Sequence, residues 1–170
     1  MWVRTAWCVL ATALWASHSL ADPKRTPELY ERVDAFVSRP LGFGFVQPLN
    51  DLRQLGKVRQ EVVRAVPNSY NKEQIDEVRM LHLDGLVIHV LFPGRDYARG
   101  LVWQIEVTKP TWKLQHGLNV GARPQAVEAV LGEPDEKKVG EWKYCGDRFC
   151  GTFLFHNRRI QKITFQGSPE

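Results

Sequence analysis

Cys145 and Cys150 flank the four residues Gly146, Asp147, Arg148 and Phe149, and two thiols at that spacing offer three kinds of chemistry. A loop of this length lets a hairpin bring the two Cα atoms within disulfide range. In an oxidising compartment a structural bridge is the favoured reading. A redox-active pair is the alternative, but the C-x-x-C spacing that lowers a thiol pKa is absent. A metal site with His156 as a third ligand lacks the second ligand pair that such sites carry.

His82 and His89 form a second constellation. Asp84-Gly85 lies between the runs Met80–Leu83 and Leu86–Phe92 and is a strong signal for a two-residue hairpin turn. Such a turn pairs Leu83 with Leu86, His82 with Val87, Leu81 with Ile88 and Met80 with His89. The two imidazoles then share one face, diagonally related and about 7 Å apart at Cα, which is half of a zinc site. No further His or Cys lies nearby in sequence, so the simpler reading is two polar side chains on an accessible sheet face. A small metal-dependent or hydrolytic enzyme using His82, His89 and a carboxylate is the alternative. We expect no bound metal and no cofactor.

Other catalytic constellations find no support. Ser38, Ser69 and Ser168 sit in no nucleophile elbow, and no Gly-rich phosphate loop follows a strand. Glu133, Asp135 and Glu136 cluster after a helix and read as a solvated connection. The chain is expected not to be an enzyme.

The aromatic residues carry more information. Trp103, Trp112 and Trp142 fall in or beside predicted strands, joined by Tyr144, Phe149, Phe153 and Phe155. Most should be core, and any left on an open sheet face are anchors for a partner. The candidate binding face is therefore Met80, His82, His89, Trp103, Trp112, Trp142 and Tyr144.

The elements that position these residues follow from periodicity. Leu29, Val33, Phe36 and Val37 mark one face of a helix, ended by Pro40 and Gly42. A short helix is expected within Gln47–Leu55, stopped by Gly56. Lys57–Val66 fits a helical period and a β-branched strand equally well. Leu101–Thr108 alternates as a strand. Pro124 suits the first position of a helix closed by Gly132 and Pro134. Glu141–Tyr144, Gly151–Phe155 and Ile160–Phe165 read as strands. The pairs Leu55-Gly56 and Leu131-Gly132 align two units of similar plan. The fold class is thus α+β, with two tandem units, each a short helix or helix pair packed on an antiparallel β-meander. The expected segments are a signal peptide over 1–21, an N-terminal helix and linker over 22–46, a first helix-plus-sheet unit over 47–109 and a second over 110–166.

Targeting is read from the start of the chain. Arg4 precedes the apolar run Thr5–Ala16, which is too short to span a bilayer, and Ser19-Leu20-Ala21 places small residues before a cleavage point at Asp22. Cys8 lies inside that apolar run and is removed with it. The expected location is the periplasm, or outside the cell, with no membrane anchor after cleavage. A formal net charge of +4, with acidic and basic residues interspersed, makes nucleic acid a poor partner.

The segment Gly121–Pro134 (GARPQAVEAVLGEP), followed by Trp142-Lys143-Tyr144 and a strand ending Phe153-Leu154-Phe155, resembles a recurrent pattern. In that pattern a Gly opens a helix, Val and Leu face a sheet, and Leu-Gly-x-Pro closes it. It is similar to the small lipoproteins of the outer-membrane β-barrel assembly machine and to the tandem units of the β-lactamase-inhibitor proteins. With the runs Ile75–Phe92 and Leu101–Thr108, the whole looks like a group of exported bacterial proteins built on that plan. The resemblance implies helix-plus-sheet units and a non-catalytic, protein-binding role in envelope assembly or enzyme inhibition. Two departures stand out: no lipidated Cys occupies the mature start, and Arg123 stands where Ser or Thr caps the helix. The expectation is a protein-binding module whose partner is another envelope or secreted protein, with a structural accessory domain as a further alternative.

Overall fold

Nine antiparallel strands, three α-helices and two short 3-10 turns make up the described part of this computed structural model, which spans residues 25–167. The expected signal segment and its cleavage point lie outside the described residues. The elements are α1 (Pro27–Ser38), β1 (Val46–Gln47), α2 (Leu49–Gln54), β2 (Gln60–Pro67), β3 (Ile75–Leu83), β4 (Leu86–Phe92) and β5 (Gly100–Val107). They continue with α3 (Pro124–Leu131), β6 (Glu136–Lys138), β7 (Glu141–Cys145), β8 (Phe149–His156) and β9 (Arg159–Gly167). The class is α+β.

The strands form one sheet in the order β2-β3-β4-β5-β9-β8-β7-β6, so a meander of β2–β5 meets a second of β6–β9 through the β5–β9 pair. The β3–β4 hairpin has the register set by Asp84-Gly85, with Leu83 opposite Leu86 and Met80 opposite His89. Gly85 takes φ +76°, the left-handed backbone that this turn requires and that glycine adopts without a Cβ clash. Lys57–Val66, whose period fitted a helix and whose β-branched content fitted a strand, contributes strand β2; pairing with β3 along the full length of β2 decides in favour of the β-branched side chains.

All three helices pack on one face. Val33, Phe36 and Val37 of α1, Leu49 and Leu52 of α2, and Val127 and Leu131 of α3 join Leu81, Ile88, Phe92, Ile105, Phe153, Ile163 and Phe165 from the strands in one buried cluster. Phe36 is central to it, lying parallel to Phe153 at 6.0 Å and edge-on to Phe165 at 5.4 Å. Thr26 caps α1 by accepting from the Leu29 amide. Arg123 supplies no such side-chain cap to α3.

Two arginines, Arg25 buried and Arg79 largely so, close the ends of this core. Arg25 donates to the Asp135 carboxylate at 2.9 Å and to the Glu133 and Cys145 carbonyls, with its guanidinium 5.7 Å from the Tyr144 ring centroid. Asp135 also accepts from the Cys145 amide. Asp135 is therefore a structural anchor for the segment entering α1, where the sequence had pointed to a solvated connection. At the other end, Arg79 bridges Glu61 and Glu77 and lies 4.9 Å from the Tyr97 ring centroid. Burial works against the charged form of Glu61, but hydrogen bonds from Arg53 and Arg79 outweigh it and hold the carboxyl below its usual range.

Candidate functional site

The face of the sheet opposite the helices is where the chemistry-bearing residues of the β3–β4 hairpin point. Strand register arranges it in rows. One row runs Arg64, Val78, Leu91, Leu101 and Val46; the next runs Val62, Met80, His89, Gln104 and Gln166; the third runs Gln60, His82, Val87, Glu106, Thr164, Thr152 and Lys143. Val78, Leu91, Leu101 and Val46 make the first row mostly apolar, the rows below it mix polar and apolar members, and over β7–β9 Leu154 is a single exposed apolar side chain among polar ones. The open face is therefore divided, with a contiguous apolar patch on the first meander only. Leu101 is 41% exposed, Trp103 38% and Val46 57%.

Trp103 owes its position to a β-bulge. His89 pairs with Gln104 while Val90 pairs with Val102, so Trp103 is the extra residue in β5. A bulge twists its strand and redirects the extra side chain. Here it sets the indole against His89, with ring centroids 5.0 Å apart and planes at 71°.

The bulge also marks a change of neighbour. On the edge of β5 away from β4, residues 100–101 pair with β1, whereas residues 104–107 pair with β9. Between these two stretches lies a notch of about 530 Å³ lined by Phe45, Val46, Leu101, Trp103, Arg148, Phe149 and neighbouring backbone. Its floor is the parallel stack of Phe45 on Phe149, with ring centroids 3.5 Å apart. The apolar patch thus ends in an apolar notch with one cation, Arg148, at its rim.

His82 and His89 share the open face as the hairpin parity implied. Half-burial lowers the His89 pKa below the usual imidazole value, Glu106 acts in the opposite direction, and the nearby His82 lowers it further. The His89 Nε2 to Glu106 Oε1 separation is 4.0 Å, too long for a hydrogen bond, and Glu106 accepts instead from Gln104 and Lys162. Among the described residues no three His, Cys, Asp or Glu side chains gather closely enough to hold a metal ion. No helix among them is long and apolar enough to cross a membrane.

The remaining candidates divide. Met80, His82, His89 and Trp103 lie together on the open face. Trp142 and Tyr144 do not: they are 9% and 0% exposed and belong to the core cluster. They alternate in β7 with Glu141, Lys143 and Cys145, which take the other side, and the Tyr144 hydroxyl donates to the Gly132 carbonyl. Burial raises the Tyr144 pKa. Trp112 is also placed elsewhere, its indole N–H donating to the Asp84 carbonyl beside Gly56 and Leu83. Cys145 and Cys150 face each other across β7 and β8, with Cα atoms 4.1 Å apart, and are joined as a disulfide on the open side. Leu101 and Val46 line the notch without having been singled out in the sequence, where only the strand parity of Leu101–Thr108 carried a signal for the first; Phe149 was noted there only as one of the sheet's aromatic residues.

No protein-family model matches this chain, and neither does any of the curated proteins or solved structures compared with it.

Proposed function

We propose that this is an exported, non-catalytic protein-binding module of the cell envelope, and that it engages its partner through the open sheet face. The observation that carries the reading is the contrast across that face. Val46, Leu91, Leu101 and Trp103 are apolar and accessible together over the first meander, while the open face of the second carries Lys143, Thr152, Lys162 and Thr164, with Leu154 a single apolar side chain among them. Exposed large apolar side chains gathered in one patch mark an interaction surface, because each costs solvation unless a partner covers it. Trp103, held by its bulge and by His89, is the anchor. The notch beside it accommodates an apolar side chain, and Arg148 at the rim favours a carboxylate next to that side chain.

The strand order supports a duplicated plan beneath this surface. Each meander follows a short helix, and the last strand of one pairs with the last strand of the other. We read the chain as two such units fused into one sheet, with the binding function concentrated on the first. The location follows from the apolar start of the sequence and the disulfide.

The reading is tested by affinity capture from the producing cells with the wild-type chain and with a Leu101→Asp, Trp103→Ala double variant. One dominant envelope protein retained by the wild type and lost by the folded variant supports it. Equal retention by both removes the open face as the binding surface.

A further inference from the structure

The β8–β9 hairpin turns through Asn157 and Arg158, whose φ values are 49° and 56°. That left-handed backbone is what a two-residue hairpin turn demands, and glycine adopts it at least cost. Arg158 occupies it instead. Beside this turn the chain enters α3, and three hydrogen bonds clamp the two segments together. Gly121 N–H donates to the Ile160 carbonyl at 2.8 Å, Ile160 N–H to the Ala122 carbonyl at 2.9 Å, and the Arg159 guanidinium to the Gly121 carbonyl at 2.9 Å.

The clamp brings Arg123, Arg158 and Arg159 around one surface cavity of about 410 Å³, completed by Gln125 and Asn157. No carboxylate lines it. None of the ion pairs among the described residues includes any of the three arginines. Other cations of the surface are matched, as in Lys143–Glu136 and Lys162–Glu106, and of those that are not, these three are the ones that line a single cavity together. Three arginines lining one cavity without a counter-charge make it electropositive, and an anion held there is attracted by all three. Arg123 also leaves the first turn of α3 without a side-chain cap, so the open amide end of the helix adds to the positive field.

We propose that this cavity is a binding site for a phosphoryl group. Planar guanidinium forks match phosphate oxygens two at a time, and a dianion balances three cations better than a single carboxylate does. The volume exceeds that of a phosphate alone, which leaves room for the group it esterifies, either a soluble phosphate ester or a phospholipid headgroup. The cavity shares no residue with the apolar patch, so this site stands apart from the protein-binding face.

The test titrates the full chain with inorganic phosphate, followed by phosphorus NMR, and with phosphatidylcholine vesicles with and without phosphatidic acid. Two variants are compared: Arg123→Gln combined with Arg158→Gly, the second change relieving the positive φ, and Arg64→Gln, which removes an exposed charge on β2 away from the cavity. The proposal expects binding of phosphate or of phosphatidic-acid vesicles, weakened roughly tenfold or more in the double variant and unchanged in Arg64→Gln. Phosphate binding alone assigns a soluble ester, and vesicle binding that requires phosphatidic acid assigns a headgroup. Failure of the wild type to bind either probe overturns the proposal. So does a double variant that binds like the wild type, or an Arg64→Gln variant that weakens binding as much.

Discussion

The indole of Trp103 stands edge-on to the imidazole of His89, with centroids 5.0 Å apart, because one extra residue in β5 moves the tryptophan beside its neighbour on β4. The consequence is a fixed aromatic anchor on a face that no helix among the described residues covers. A tryptophan so held loses little conformational freedom when a partner covers it, which is the condition under which an aromatic side chain contributes most to binding.

If the patch is an interaction surface and not part of the core, polar substitution there leaves folding intact. Leu101→Asp is expected to shift stability by no more than about 0.5 kcal/mol, as for surface positions generally. By contrast, Ile105→Asp, four residues along the same strand and 1% exposed, should prevent folding. Urea denaturation of the two variants makes the comparison.

His89 gives a pH dependence whose sign is fixed by its environment. Its folded pKa lies below the ordinary 6.5 through burial, so the unfolded chain binds a proton more readily than the folded one. Stability contributed by neutral His89 is therefore fully present above about pH 6.5, begins to fall below it, and is lost as pH falls through the lower folded value. Glu106 and His82 face it, the first countering the shift and the second adding to it. The carboxyls of Glu61, Asp76 and Asp84 are held below their ordinary values of 4.5, 3.8 and 3.8, so their losses begin at lower pH. Melting temperature measured between pH 7 and 5 should fall for the wild type and fall less for His89→Gln.

Arg25 is buried and its partner Asp135 partly so, and removing one member of such a pair strands the other. Arg25→Met is expected to cost about 3 kcal/mol, since it leaves Asp135 and two carbonyls without their donor. The Arg25→Met, Asp135→Leu pair should recover part of that loss; the Cys145 amide, which also donates to Asp135, limits the recovery. Chemical denaturation of the single and double variants measures it.

Reducing the Cys145–Cys150 bridge opens a loop with a sequence separation of only 5. The entropic gain from so short a closure is about 2 kcal/mol, so the reduced protein should stay folded with a lower midpoint of unfolding. Tyr30 supplies a local probe of the same loop. Its hydrogen bond to Asp147 and the burial and charge around it push its pKa up to about 12, and opening the loop should return its titration toward 10.0.

Local signals carried much of this architecture. Asp84-Gly85 settled a hairpin register, and with it the shared face of His82 and His89, because side chains in a strand alternate with a period of two. Val58, Val62, Val63 and Val66 were ambiguous because their spacing fits a helix while their β-branched side chains fit a strand, and pairing with β3 resolved it. Trp142 and Tyr144 were assigned to the binding face by aromatic character, although their alternation with Lys143 marks them as inward-facing. The bulge at Trp103 left no sequence mark, since any residue can be the extra one. Arg25 and Asp135 are separated by 110 positions, and nothing local ties such residues together.

The most direct measurement is site-specific photocrosslinking in the producing cells, with the probe at position 82 on the open face and, separately, at position 128 on the exposed side of α3. The account predicts one dominant protein adduct from position 82, absent from position 128 and abolished by adding Leu101→Asp. The same adducts from both positions, or an adduct from position 82 that survives Leu101→Asp, would contradict it.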